Sequence, residues 1–209
     1  MELEKQRARM VEEQLRRRGI ADSRVLAAMG EIPREAFIPD SERRNAYYDG
    51  ALPLSHGQTI SQPLMVAMSV EALRLHGDET VLEVGAGSGY QAAILSRLVK
   101  KVYAIEIIPE LVAGARRTIE SLGIDNVELV CADGRKGWPA GAPYDGIVVA
   151  AAAEEVPQAL VEQLKEGGRL VIPVGGKWGQ ALQASRKREG NLETEDLCRC
   201  VFVPLVHGG

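Results

Sequence analysis

Residues 81–90 read VLEVGAGSGY: an apolar, β-branched run that breaks into Gly85, Gly87 and Gly89 and then opens a helical segment. Glycines placed there let the backbone turn tightly and let a ligand approach the main chain without meeting a Cβ. A dinucleotide fingerprint requires G-x-G-x-x-G, but here Tyr90 stands where the last glycine belongs. The stretch therefore reads as the strand, loop and helix of a ligand-binding α/β sheet, with a nicotinamide cofactor disfavoured.

The flanking sequence agrees. From residue 80 onward, strand-like runs (TVLEVG, KVYAIEI, NVELVCA, YDGIVVA, RLVIPVG) alternate with helical ones (GYQAAILSRLV, PELVAGARRTIESLG, VPQALVEQLKEG). That alternation predicts a doubly wound, mostly parallel sheet with helices on both faces. After Gly179 the stretch QALQASRKREGNLETEDLCRCVFVPL holds two extended runs around Glu189-Gly190-Asn191, which predicts an antiparallel hairpin on the sheet edge. We read residues 1–209 as one domain: a helical cap over 1–56, a core over 57–178 and C-terminal strands over 179–209.

Composition narrows the function. A chain of 209 residues, 45% of them hydrophobic, is long enough to bury one large core. With 25 basic and 29 acidic residues the net charge is -4, which offers no general attraction to nucleic acid. Arg16, Arg17 and Arg18 end an N-terminal helix stopped by Gly19, where cations complement the helix dipole. No apolar run reaches membrane-spanning length and the charged N-terminus lacks a signal-peptide core, so a cytoplasmic location is expected. The three cysteines fit no disulfide framework, and His56, His76 and His207 form no metal signature. No metal site is expected.

Two acids extend the crevice. Glu106 ends the second strand, where a carboxylate can accept hydrogen bonds from both hydroxyls of a ribose or cap the helix that begins at Pro109. Asp133 and Gly134 end the third strand on the same carboxyl edge, where ligands of open α/β sheets bind, although Asp-Gly is also a turn signal. The convergence with the glycine loop points to an adenosine-type cofactor.

Ahead of the first strand, GQTISQP at 57–63 places Gln58, Thr59 and Ser61 in a loop feeding a helix. The following sequence predicts an apolar stripe of Leu64, Met68, Ala72 and Leu75. Capping would need one polar residue. The run supplies three, a surplus that suggests ligand contact.

VLEVGAGSGY, the acid of VYAIE and the segment at 144–175 resemble the successive motifs of class I S-adenosylmethionine-dependent methyltransferases. GQTISQP, PREAFIP at 33–39, YYDGALPL at 47–54 and the terminal VFVPL resemble, more narrowly, the protein-L-isoaspartate O-methyltransferases, from about Met10 to Leu205. The resemblance implies methyl transfer from S-adenosylmethionine to the free carboxylate of L-isoaspartyl residues in damaged proteins and peptides. It implies Ser61 as the active-site residue, with Gln58 and Thr59 beside it against both acceptor and cofactor. Glu83, Gly85, Gly87 and Gly89 would shape the methionine and ribose pocket, Glu106 would bind the ribose, and Asp133 with Gly134 would meet the adenine edge. The wall facing the peptide would come from YYDGALPLSHG and the cap, and open access for peptide ends favours a monomer.

The chemistry asks little of side chains. An α-carboxyl has a pKa of about 3.3 to 3.7, so about one molecule in a thousand or fewer is protonated at pH 7 and no general base is needed. The leaving group is a neutral thioether, so no general acid is needed either. What remains is alignment, which can be worth roughly 7 to 11 kcal/mol. Two alternatives stay open at this level: a methyltransferase acting on a small phenol or amine, and a cofactor-binding protein without turnover.

Overall fold

The computed structural model of the chain describes residues 2–176 and 179–206. The boundary expected after residue 178, and His207, lie outside the described residues.

The N-terminal part is α1 (Glu2–Arg9), continued by a π-helical turn over Met10–Leu15 and a 3-10 turn over Arg16–Arg18, then α2 (Ser23–Glu31). Gly19 closes the first of these at φ 101, and Met10 and Leu15 are buried. A small antiparallel ribbon of β1 (Leu52–Pro53) and β2 (Thr59–Ile60) leads into α3 (Pro63–Ala72).

The sheet follows as β3 (Thr80–Val84), α4 (Tyr90–Ser96), β4 (Lys101–Glu106), α5 (Pro109–Ser121), β5 (Val127–Cys131), β6 (Tyr144–Val149), α6 (Gln158–Gln163), β7 (Leu164–Gly176), β8 (Gly179–Arg188) and β9 (Asn191–Cys200). The strand order is β5-β4-β3-β6-β7-β8-β9. The first five are parallel, and β7, β8 and β9 pair antiparallel. The chain winds outward from β3 through β4 to β5 and then returns to β6 on the other side. The order therefore reverses between β3 and β6, and that is where open sheets of this kind bind ligands.

Period-two alternation builds the core. Leu82, Val84, Ile105, Ile147 and Val149 face one cluster, while Val81, Ala104 and Val148 face the other, and all are buried. Each large aliphatic side chain so buried contributes roughly 1.5–3 kcal/mol. The predicted hairpin is present: Glu189 and Gly190 form a two-residue turn with φ 51 and 79, the left-handed pair of a type I′ turn. Cys198 and Cys200, on β9, are partly buried against the core, and Cys131 is exposed.

Three local expectations need correction. The stripe expected on α3 is only part of its buried surface: Pro63, Val66, Ala67 and Val70 are buried as well, and Leu75 lies beyond the helix end. The helix is covered on two sides, by the N-terminal helices and by β7, so a single stripe underestimates its packing. The helix predicted over 156–167 is confined to six residues, because Leu164 already pairs with Tyr144 of β6 and Gly167 turns at φ 80. VFVPL does not extend the last strand. β9 ends at Cys200, and Val203 and Leu205 bond instead to both polar groups of the Ala152 backbone, Ala152 N to Val203 O at 2.8 Å and Leu205 N to Ala152 O at 2.7 Å.

Candidate active site

The glycine loop begins where β3 ends. The N–H groups of Gly85 and Ala86 both donate to Ile105 O, at 2.8 and 3.0 Å, which turns the chain sharply off the sheet. Gly85 (φ 82) is in the left-handed region, where a side chain is strained, and any β-carbon there would point at Ala150 and Ala151 across the switch point. Gly87 and Gly89 have φ 53 and 86, and Gly89 caps α4. Gly134 needs its small size for another reason: a Cβ there would collide with Val84 Cγ1.

Glu106 does not cap α5, which receives no side-chain cap bond; it ties the glycine loop to the turn between β4 and that helix. Its Oε1 accepts from Ile107 N and Ile108 N at 2.7 and 3.0 Å, the entry to α5, and its Oε2 accepts from Gly87 N at 2.9 Å. The same 7%-exposed carboxylate lines the crevice, so one side chain pins both the glycine loop and the turn that precedes α5. Glu83 is buried near the carboxyl end of β3. Its Oε1 accepts from Gln91 Nε2 at 3.1 Å, and its Oε2 has no partner among the described residues. Burial above all pushes this carboxyl up to about 8; the Gln91 bond opposes the rise and the nearby Glu106 charge adds to it.

The other wall comes from the cap. Gln62, the residue before α3, makes no capping bond and instead reaches Asp49 Oδ1 at 2.6 Å. Capping therefore does not account for the polar run. The Thr59 and Ser61 hydroxyls carry no hydrogen bond among the described residues, and both side chains border the crevice beside Gly85, Gly87 and Glu83. A second cavity of about 250 Å³ opens from Thr59 and Ser61 toward Met65, Arg199 and Phe202. Gln58 lines the adjoining part of the crevice, next to Glu106.

Arg34, in PREAFIP, fixes this loop from below. It is fully buried, donates from Nε to Ala46 O and from Nη2 to Ser61 O, each at 2.8 Å, and lies 4.9 Å above the centre of the Tyr90 ring. Burial holds its guanidinium below the ordinary range, with Tyr90 and Tyr47 opposing. Tyr47 bonds Glu35 and is a packing residue, whereas Tyr48 is exposed.

Of the residues singled out from sequence, Gln58, Thr59, Ser61, Glu83, Gly85, Gly87, Glu106 and Gly134 border one continuous crevice. Gly89 and Asp133 do not line it. Gly89 holds the loop as the cap of α4, and Asp133 Oδ1 accepts from Arg135 N at 3.0 Å in the turn after β5. Sequence reading passed over Ile107, Ile108, Ala150, Ala151 and the segment Val203–Val206, which close the crevice. The first four follow directly from β4 and β6 and could have been found by extending each strand past its carboxyl end. Among the described residues no group of three potential ligands could hold a metal ion.

The family model for protein-L-isoaspartate(D-aspartate) O-methyltransferase matches residues 5–209. The chain belongs to that family. A protein-L-isoaspartate O-methyltransferase 2 of Pelobacter propionicus is 52% identical over 199 residues, covering 94% of this chain and 88% of that protein. A solved protein-L-isoaspartate O-methyltransferase superposes with TM-score 0.88 at 33% identity, covering 97% of this chain and 66% of the longer one. A further solved structure, described as a putative protein-L-isoaspartate O-methyltransferase from Plasmodium falciparum in complex with S-adenosyl-L-homocysteine, superposes with TM-score 0.84 at 29% identity, covering 96% and 98%. Family membership bears out the fold class, the S-adenosylmethionine cofactor and the methyl transfer to L-isoaspartyl residues expected from sequence.

Proposed function

We propose that the crevice at the β3–β6 switch holds S-adenosylmethionine and that the chain transfers its methyl group to the free carboxylate of L-isoaspartyl residues in damaged proteins and peptides. The observation that carries this is the meeting of two otherwise unrelated features: the Glu83–Glu106 glycine-loop pocket and the unengaged hydroxyls of Thr59 and Ser61, facing each other across one crevice.

The residues fit the cofactor. The unpartnered, buried Oε2 of Glu83 is an acceptor in want of a donor, suited to the ammonium of the methionine moiety. Glu106 offers oxygen to a ribose while its remaining lone pairs stay on backbone amides. Apolar Ile107, Ile108 and Leu205 border the part that an adenine would fill, beside Gly134 and next to Asp133. When bound, the cofactor supplies a methyl carbon made electrophilic by a cationic sulfur.

The chain's own work is positioning. Ser61 and Thr59 donate to the acceptor carboxylate, Gln58 borders both ligands, and Arg34 holds the Ser61 backbone so that the hydroxyl does not wander. Ser61 is not a covalent nucleophile, because among the described residues no Lys or His borders the crevice to activate it. Val203–Val206 and the apolar walls exclude water, and a carboxylate stripped of water attacks more readily. We read the whole of 1–209 as one methyltransferase domain with cap, core and C-terminal strands as divided above. We also read the protein as a cytoplasmic monomer without affinity for nucleic acid; the net charge of -4 supports the last point, and no described helix is long and apolar enough to cross a membrane.

The test is label transfer from S-adenosylmethionine to paired peptides that differ only in isoaspartate against aspartate. Transfer confined to the first is expected. Transfer to both alike, or to a phenol in place of either, would refute the assignment.

A further inference from the structure

At the amino end of the sheet, away from the crevice, three arginines converge. Arg74 follows α3, Arg169 lies on β7 and Arg186 on β8, and the last two are direct partners in the antiparallel register. Like charges set opposite each other on neighbouring strands destabilise a sheet. Arg74 adopts φ 51, uncommon for a long side chain. Burial first, and then Arg74 and Arg186, hold the Arg169 guanidinium below its ordinary range, with Glu195 opposing.

All three line two adjoining cavities, of about 440 Å³ with Lys165 and about 310 Å³ with Arg188. Most carboxylates of those cavities are already engaged. Asp145 accepts from Lys165 Nζ at 2.7 Å and from Thr80 N at 2.8 Å, and Glu79 takes the N–H groups of His76 and Gly77 at 2.5 and 2.7 Å. Glu166 accepts from Glu189 N and Gly190 N at 2.6 and 3.3 Å, and Glu193 pairs with Arg188 at 3.1 Å. Asp78 and Glu195 remain to face three guanidinium groups. Among the described residues no ion pair engages Arg74, Arg169 or Arg186; the hydrogen bonds of Arg169 to Ala72 O and of Arg186 to Gly167 O are long, at 3.4 Å each.

We propose that Arg74, Arg169 and Arg186 form a binding site for a small, multiply charged phosphate anion. Planar guanidinium forks match phosphoryl oxygens in pairs, and an anion carrying two or more charges relieves the repulsion that a single carboxylate would leave. Cavities of this size suit a small metabolite. Among the described residues no Phe, Tyr or Trp lines either one, and the class is a compact phosphorylated compound recognised by its charge. The site shares no residue with the crevice and does not depend on what the crevice binds.

The test titrates the full chain with pyrophosphate at fixed ionic strength, following heat and thermal midpoint. Saturable binding with a dissociation constant below about 1 mM is expected. R169Q, and R74N, which keeps a residue tolerant of the left-handed backbone, should each weaken it at least tenfold and abolish the rise in midpoint. R9Q, in the remote and exposed α1, should leave it unchanged, and all three variants should keep transferase activity. Absence of saturation in the wild type, equal loss in R9Q, or full binding by R169Q and R74N together would overturn the proposal.

Discussion

The two walls of the crevice are built on opposite principles. The wall we propose for the cofactor is one continuous stretch, β3 through the glycine loop to β4, held by main-chain bonds such as Gly85 N to Ile105 O at 2.8 Å, and its shape depends on missing side chains. The wall we propose for the acceptor is gathered from residues 34, 46–62 and 199–203, held by side chains that reach for backbone, with Arg34 tying Ala46 and Ser61 together. One wall breaks when an atom is added. The other breaks when atoms are taken away.

Adding atoms should do the most damage. Gly85→Val forces a β-branched residue to φ 82 and directs its methyls into the crevice, so cofactor affinity should fall roughly a hundredfold in a titration with S-adenosylhomocysteine while the fold survives. On the opposite wall, Ser61→Ala removes a single hydroxyl. The turnover of isoaspartyl peptide should drop by roughly ten- to a hundredfold, with cofactor affinity unchanged. Undiminished turnover with unchanged peptide affinity would remove Ser61 from the mechanism.

Arg34→Met sharpens the contrast, because it touches neither ligand. It strips donors from two carbonyls in a buried place, at about 1–3 kcal/mol for each group left unsatisfied, and should raise the KM for peptide several-fold while leaving cofactor affinity alone. A double variant with Ser61→Ala should lose less than the sum of the two, since both act on one loop.

The smallest effect concerns Glu83. In the ligand-free protein its carboxyl titrates at about 8, against 4.5 ordinarily, so the unfolded chain gives up its proton first. The group's contribution to stability is complete below pH 4.5 and is lost as pH climbs to about 8. Glu83→Gln should flatten that decline, raising the thermal midpoint by a few degrees at pH 8 and by nothing measurable near pH 4.5.

The difference between the walls also explains what could be read without coordinates. The glycine loop, Glu106, the β/α alternation and the Glu189–Gly190 hairpin are local patterns, each complete within about twenty residues. Apart from the shortened helix before β7, they appear in the structure where sequence placed them. The hold of Arg34 on Ser61, 27 positions away, leaves no trace in periodicity. The same is true of the early start of β7, which depends on Leu164 meeting Tyr144, and of VFVPL leaving the sheet to bond Ala152. Gln58, Thr59 and Ser61 stood out from composition alone. Only the structure shows that none of them is spent on capping α3 and that the Thr59 and Ser61 hydroxyls remain open.

The central claim is that Ser61 faces the sulfur of a cofactor lying along the glycine loop. Crystals grown with S-adenosylhomocysteine and an isoaspartyl peptide test it most directly. The account predicts the sulfur beside Gly85, with the peptide carboxylate hydrogen-bonded to the Ser61 hydroxyl and one oxygen in line with it. A carboxylate bound elsewhere, or a Ser61 hydroxyl turned away from the sulfur, would contradict it.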